Sequence, residues 1–172
     1  FLNGNTSSAL EIGGVFKVNS GTSSKSNNNI GVYAINTGNT AQSAKTINGD
    51  YTINGGSYNT GVYLKKTKVD NIGDDNTNRA TRSTYTVSGG SYNVGTYLDD
   101  SKATNVLGNY NLTSGTQQRG VSLKASLITD LKGTYTIDAT ESDGVYVDNG
   151  STLSNVGNST FNVNKTGSNG IY

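Results

Sequence analysis

The sequence predicts an all-β fold, a parallel solenoid of about six coils of ~25 residues with three short strands per coil. Three recurring columns predict it. A Gly-Val-Tyr segment recurs as GVYA from Gly31, GVYL from Gly61, GTYL from Gly95, GVSL from Gly120, GVYV from Gly144 and GIY from Gly170, its last four steps being 34, 25, 24 and 26 residues. An aromatic-x-aliphatic column holds Phe16/Val18, Tyr51/Ile53, Tyr85/Val87, Tyr110/Leu112, Tyr135/Ile137 and Phe161/Val163. An aliphatic column, usually four residues before the aromatic, holds Ile12, Ile47, Ile72, Val106, Leu131 and Val156. Each segment has alternating or near-alternating apolar residues and is bounded by Gly, Asn, Asp or Ser, the pattern of a half-buried strand between turns. Such a coil cannot bury its own apolar side and must stack on its neighbours.

In chain order within a coil, the aliphatic strand comes first. Its apolar residue is preceded by a second small or apolar one, as in Ala44, Val69, Ala103, Ile128 and Leu153. Directly before the column stand Asn71, Asn105, Asp130 and Asn155, which stacking turns into an asparagine-type ladder. The aromatic strand follows, and Tyr51, Tyr85, Tyr110 and Tyr135 share their column with Phe16 and Phe161, so they are read as core. A corner comes next, written GGSYN from Gly55 and again from Gly89, where other coils have SGTQQR, ATESD or KTGSN. The glycine pairs supply a tight turn. Tyr58 and Tyr92 exceed that need and form a two-ring patch, in register further along with Gln117 and Ser142.

The Gly-Val-Tyr strand closes the coil. With Val and Leu facing inward, alternation sends Tyr33, Tyr63, Tyr97, Tyr146 and Tyr172 outward, with Ser122 in the place of one ring. A row of stacked exposed rings stabilises strands and also offers a platform for a sugar or a protein. The candidate ligand-binding tyrosines are therefore Tyr33, Tyr63, Tyr97 and Tyr146, with Tyr58 and Tyr92 at the corner. After the Leu of this strand stand Lys65, Asp99, Lys124 and Asp148, whose alternating charge suits direct stacking.

The composition fits a chain held by backbone pairing. Of 172 residues only 31% are hydrophobic and 15% charged, and without periodicity this would describe a polar linker. Pro is absent, as strands that must all donate N–H groups require, and Cys is absent, so no disulfide supplements the packing. A net charge of +1 without a basic run leaves no electrostatic footprint for nucleic acid. No apolar run is long enough to span a bilayer and no signal peptide is visible. The abrupt start at FLNGN and end at GIY lead us to expect one solenoid segment, residues 1–172, of a longer protein.

Without His or Cys the chain cannot hold a Ser-His-Asp triad, a Cys–His pair or a usual zinc site, and no catalytic, metal or cofactor-binding residue is expected. Asp74-Asp75 and Asp99-Asp100 remain as carboxylate pairs. Neighbours on a strand point to opposite faces, which makes neither pair a ready acid/base couple. Insertions are expected near 19–30, 36–44 and 73–84. The last, GDDNTNRATRST, offers Asp74, Asp75, Arg79 and Arg82 as charged recognition groups. Its opening imitates a calcium loop, but Arg79 stands where that motif needs Gly and Tyr85 where it needs Glu. A flat Thr array of the ice-binding kind is not present, because the outward positions of the aromatic strand read Lys17, Thr52, Thr86, Asn111, Thr136 and Asn162.

Through the aromatic-x-aliphatic and Gly-Val-Tyr columns, the Asn/Thr/Gly-rich turns and the lack of Cys, the chain resembles the right-handed parallel β-helix passenger domains of bacterial type V autotransporters. The resemblance implies a right-handed helix and an adhesin or rod segment displayed at the bacterial surface, anchored at the outer membrane by a C-terminal barrel that lies outside this sequence. It implies as partner a glycan or protein on a host or neighbouring cell, or a second copy in self-association. The alternative function is a carbohydrate-active β-helix of the lyase, glycosidase or tailspike kind, working through the carboxylates.

Overall fold

The computed structural model describes residues 2–3, 11–19, 27–35, 43–74 and 83–172. Among them every regular element is a strand and every strand pairing is parallel. One sheet stacks the Gly-Val-Tyr segments in order: Leu2–Asn3, Ile30–Ile35, Thr60–Lys65, Val94–Asp99, Arg119–Lys124, Asp143–Val147 and Asn169–Ile171. Equivalent residues lie in register, as in Tyr33↔Tyr63↔Tyr97↔Ser122↔Tyr146.

The second sheet has two arms. In one, Glu11–Ile12, Ser43–Ile47 and Lys68–Ile72 carry the aliphatic column; in the other, Val15–Asn19, Asp50–Asn54 and Thr84–Ser88 carry the aromatic column. Both arms run into the eleven-residue strand Lys102–Leu112, which pairs with a second of equal length, Leu127–Ile137. Beyond that strand they divide again into Thr152–Asn155 and Ser159–Val163. Three separate segments per coil were expected; in the middle of the stack two of them are one continuous bent strand. The bend falls at Gly108 and Gly133, whose φ values of 127° and 146° are closed to most side chains. A Cβ on Gly108 would come 2.5 Å from the Ser83 carbonyl oxygen of the rung below.

The core lies between the sheets and is built column by column. Ile47, Ile72, Val106 and Leu131 are fully buried, as are Val62, Leu64, Leu98, Val121 and Leu123 of the facing sheet. The aromatic column runs through it unbroken: Phe16, Tyr51, Tyr85, Tyr110, Tyr135 and Phe161 stack face to face with centroid spacings of 4.4–5.0 Å. That spacing matches the distance between hydrogen-bonded strands, so the ladder itself sets ring on ring. Each such pair adds about 0.5–1.5 kcal/mol beyond its buried area.

Polar ladders close the corners. As expected, Asn105 donates to Asn71 at 2.8 Å and Asn155 to Asp130 at 2.6 Å on the aliphatic arm. A deeper ladder was not anticipated. The backbone N–H of Asn29 donates to the side chain of Asn59, that of Asn59 to Asn93, Asn93 to Gln118, Gln118 to Ser142 and Ser142 to Ser168, all at 2.9–3.0 Å. At the opposite corner Thr67, Ser101, Ser126 and Ser151 repeat the device with hydroxyls. These side chains satisfy turn N–H groups that the interior would otherwise leave unpaired.

Candidate functional site

The GGSYN corner turns on a left-handed residue. Ser57, Ser91, Thr116 and Thr140 form successive parallel bridges, and the residue after each, Tyr58, Tyr92, Gln117 and Glu141, has φ between 51° and 59°. Glu141, not Ser142, is therefore the register partner of Tyr58 and Tyr92; Ser142 belongs to the buried ladder one residue on. Asn is at home in this conformation, as at Asn28 with φ 65°, whereas a bulky aromatic there costs on the order of 1 kcal/mol or more. Tyr58 and Tyr92 nevertheless occupy it. Their rings stack at 4.9 Å, within 1° of parallel, and remain 54% and 43% exposed. Fold requirements alone do not call for a tyrosine at this place.

Beside them runs the outward rank of the Gly-Val-Tyr sheet. Tyr33 stacks on Tyr63 at 5.1 Å and Tyr63 on Tyr97 at 5.0 Å, while Tyr146 stacks on Tyr172 at 5.4 Å beyond the gap at Ser122. Each of the first four rings is half-buried by its neighbours. Between the corner pair and the rank lies a groove of about 340 Å³ that brings together Tyr58, Tyr92, Tyr63 and Tyr97. Ile30, Thr60 and Val94 also line it, as do Asn28, Gln117, Ser122 and Arg119.

Arg119 escaped the sequence reading. It precedes Gly120 in the register position of Val94 and Asp143. Because Ser122 leaves out one ring, the guanidinium of Arg119 reaches across and lies 3.4 Å from the centroid of Tyr146. This is close cation–π contact. Ser122, the residue in the place of the missing ring, is itself buried. The signal in the sequence was the coincidence of the missing tyrosine with the only basic residue in the position before the column glycine.

Charge around the groove is mixed. The Tyr63 hydroxyl donates to Asp99 at 3.1 Å, and Lys124 pairs with Asp99 at 3.9 Å, as the alternating charges of that column led us to expect. Burial and then the Asp99 carboxylate push the Tyr63 hydroxyl pKa well above its ordinary value. Burial, Asp99 and Asp148 raise Tyr97 as well, with Arg119 acting in the opposite direction. The hydroxyls thus remain protonated donors at neutral pH.

The other candidates do not join this site. Asp74 is half-buried after the aliphatic strand and does not line the groove, while Asp75, Arg79 and Arg82 lie outside the described residues. Asp99 faces Tyr63 and Lys124, whereas Asp100 sits in an exposed left-handed corner with φ 50°, so the two do not form a facing pair. Most of the three expected insertions likewise falls outside the described residues. No protein-family model, curated protein or solved structure matches the chain.

Proposed function

We propose that the chain is a right-handed parallel β-helix of about six coils, a rod segment of a secreted bacterial autotransporter passenger, and that it presents the tyrosine groove as an adhesive surface. The expected setting is the cell surface, with anchorage at the outer membrane through a separate barrel, and the expected partner is a glycan or protein of a host or neighbouring cell. The observation that carries the binding role is the pair Tyr58 and Tyr92, two exposed rings held in a backbone conformation that disfavours them, facing Tyr63 and Tyr97 across a groove. Local strain retained where packing does not require it is characteristic of recognition sites. Parallel ladders on both sides of the groove keep it preformed, which lowers the ordering cost of binding.

The test is binding of the isolated segment to a glycan and host-protein array, repeated with Tyr58→Asn/Tyr92→Asn. Asparagine suits the left-handed corner and removes only the rings. We expect the melting temperature to hold and the strongest array signal to fall at least tenfold. Unchanged binding by the double variant would make the segment a spacer, and shortening of a polysaccharide by the parent chain would favour the carbohydrate-active alternative.

A further inference from the structure

The groove carries information on the kind of ligand it fits. Tyr58 and Tyr92 stack on each other, as do Tyr63 and Tyr97, so the rings show the groove mainly their edges and hydroxyls. Aromatic edges carry partial positive charge and attract oxygen atoms. Successive rungs repeat at 4.9–5.0 Å. One pyranose unit extends a saccharide chain by close to one rung, whereas an extended peptide advances only about 3.3 Å per residue and falls out of step.

At the end of the groove stands Arg119. One face of its guanidinium rests on Tyr146. No hydrogen bond or ion pair among the described residues engages its in-plane N–H groups. Stacking fixes the plane and leaves the fork of donors that matches a carboxylate in bidentate fashion. The surrounding carboxylates limit how much negative charge can approach: Asp143 is the register partner of Arg119, and Asp99 and Asp148 both act on Tyr97. Among the described residues Arg119 is the only cation lining the groove. A densely charged polyanion is therefore poorly matched, and a single carboxylate is well matched.

Building on the groove reading above, we infer that the site takes a saccharide with one carboxylated unit among neutral ones, of the sialic-acid-capped kind. The carboxylate is held by Arg119 and the neutral units lie along the two tyrosine walls. Ser122 sets this specificity, because a tyrosine there would occupy the space that Arg119 uses.

Calorimetric titration with 3′-sialyllactose, lactose, a heparin oligosaccharide and a Glu-rich peptide tests it, on the parent chain and on Arg119→Gln and Ser122→Tyr. Expected is binding of sialyllactose at least tenfold tighter than lactose, with this preference lost in both variants. Ser122→Tyr completes the ring stack and is expected to keep or raise the melting temperature, so it separates loss of the carboxylate site from loss of fold. Equal binding of lactose and sialyllactose would overturn the role of Arg119 while leaving the groove as a glycan site. Preference for heparin or for the acidic peptide would overturn the ligand class, and no binding of any probe would count against both the inference and the groove reading.

Discussion

Asn93 and Tyr135 are both fully buried and polar, yet the solenoid depends on them in opposite ways. Asn93 accepts from the backbone and side-chain N–H groups of Asn59 at 2.9 and 3.1 Å and donates to the Gly89 carbonyl at 2.9 Å, so it completes the turns of two coils. Replacing it by Leu leaves the buried backbone N–H of Asn59 unpaired, while the Gly89 carbonyl keeps the Gln118 side chain as donor at 2.9 Å. We expect Asn93→Leu to lower stability by on the order of 1–3 kcal/mol. The Tyr135 hydroxyl has no hydrogen-bond partner among the described residues, whereas the neighbouring Tyr110 bonds the Thr96 hydroxyl at 3.0 Å. Tyr135→Phe keeps the stack and removes a desolvated hydroxyl. It should leave stability unchanged or raise it by about 1 kcal/mol. Urea unfolding midpoints of the two variants decide the matter, and a costly Tyr135→Phe would mean that its hydroxyl is bonded after all.

The long strands Lys102–Leu112 and Leu127–Ile137 each depend on a glycine at their bend. Gly14, Gly49, Gly108 and Gly133 stand two residues before Phe16, Tyr51, Tyr110 and Tyr135, a fourth column that lay open in the sequence. At Gly133, φ is 146° and an added Cβ would collide with the backbone of Gly108 one rung away. Gly150 is a control, since its φ is 73° but the nearest atom to an added Cβ is Cα of Ala125 at 3.9 Å. Gly150→Ala should cost only the conformational preference, about 1 kcal/mol, and Gly133→Ala more than about 2 kcal/mol, both read from thermal melts. The apolar columns were legible because burial leaves a period in residue type. Asn29, Asn59 and Asn93, each two residues before a column glycine, were equally regular, but a polar residue in a turn also suits solvent, and only the stacked coils reveal that it faces inward. Tyr58 and Tyr92 could be placed from the corner they share. Their meeting with Tyr63, Tyr97 and Arg119 depends on how sharply the corner folds back, which a left-handed residue decides and which composition does not encode.

At the scale of the whole molecule the aromatic column ties stability to alkaline pH. Burial raises the pKa of Tyr85, Tyr110 and Tyr135 well above the ordinary tyrosine value, because a phenolate in the core would lose its hydration. Tyr51, at the same column, is shifted the same way by the same cause. In the unfolded chain these hydroxyls ionise near pH ~10. The folded pKa thus exceeds the unfolded one, so their contribution to stability is fully present below about pH 10 and is lost as the pH rises beyond it. Each fully buried tyrosine removes about 1.4 kcal/mol per pH unit in that range, and the three together about 4 kcal/mol per unit. With no histidine in the chain, no imidazole titration intervenes on the way up from weakly acidic pH. Since each rung is stable only against its neighbours and the column crosses them all, ionisation in one rung weakens the stacking of the next, and loss of structure should be cooperative along the stack. Urea midpoints measured from pH 7 to 11 should therefore stay level up to about pH 9.5 and then fall steeply. The fall should be accompanied by the phenolate absorbance change and reduced in Tyr85→Phe/Tyr135→Phe, which has two fewer groups to ionise. A midpoint that stays level through pH 11 would show that the tyrosines are not held neutral in a closed core, and the stacked column would lose its place as the axis of the fold.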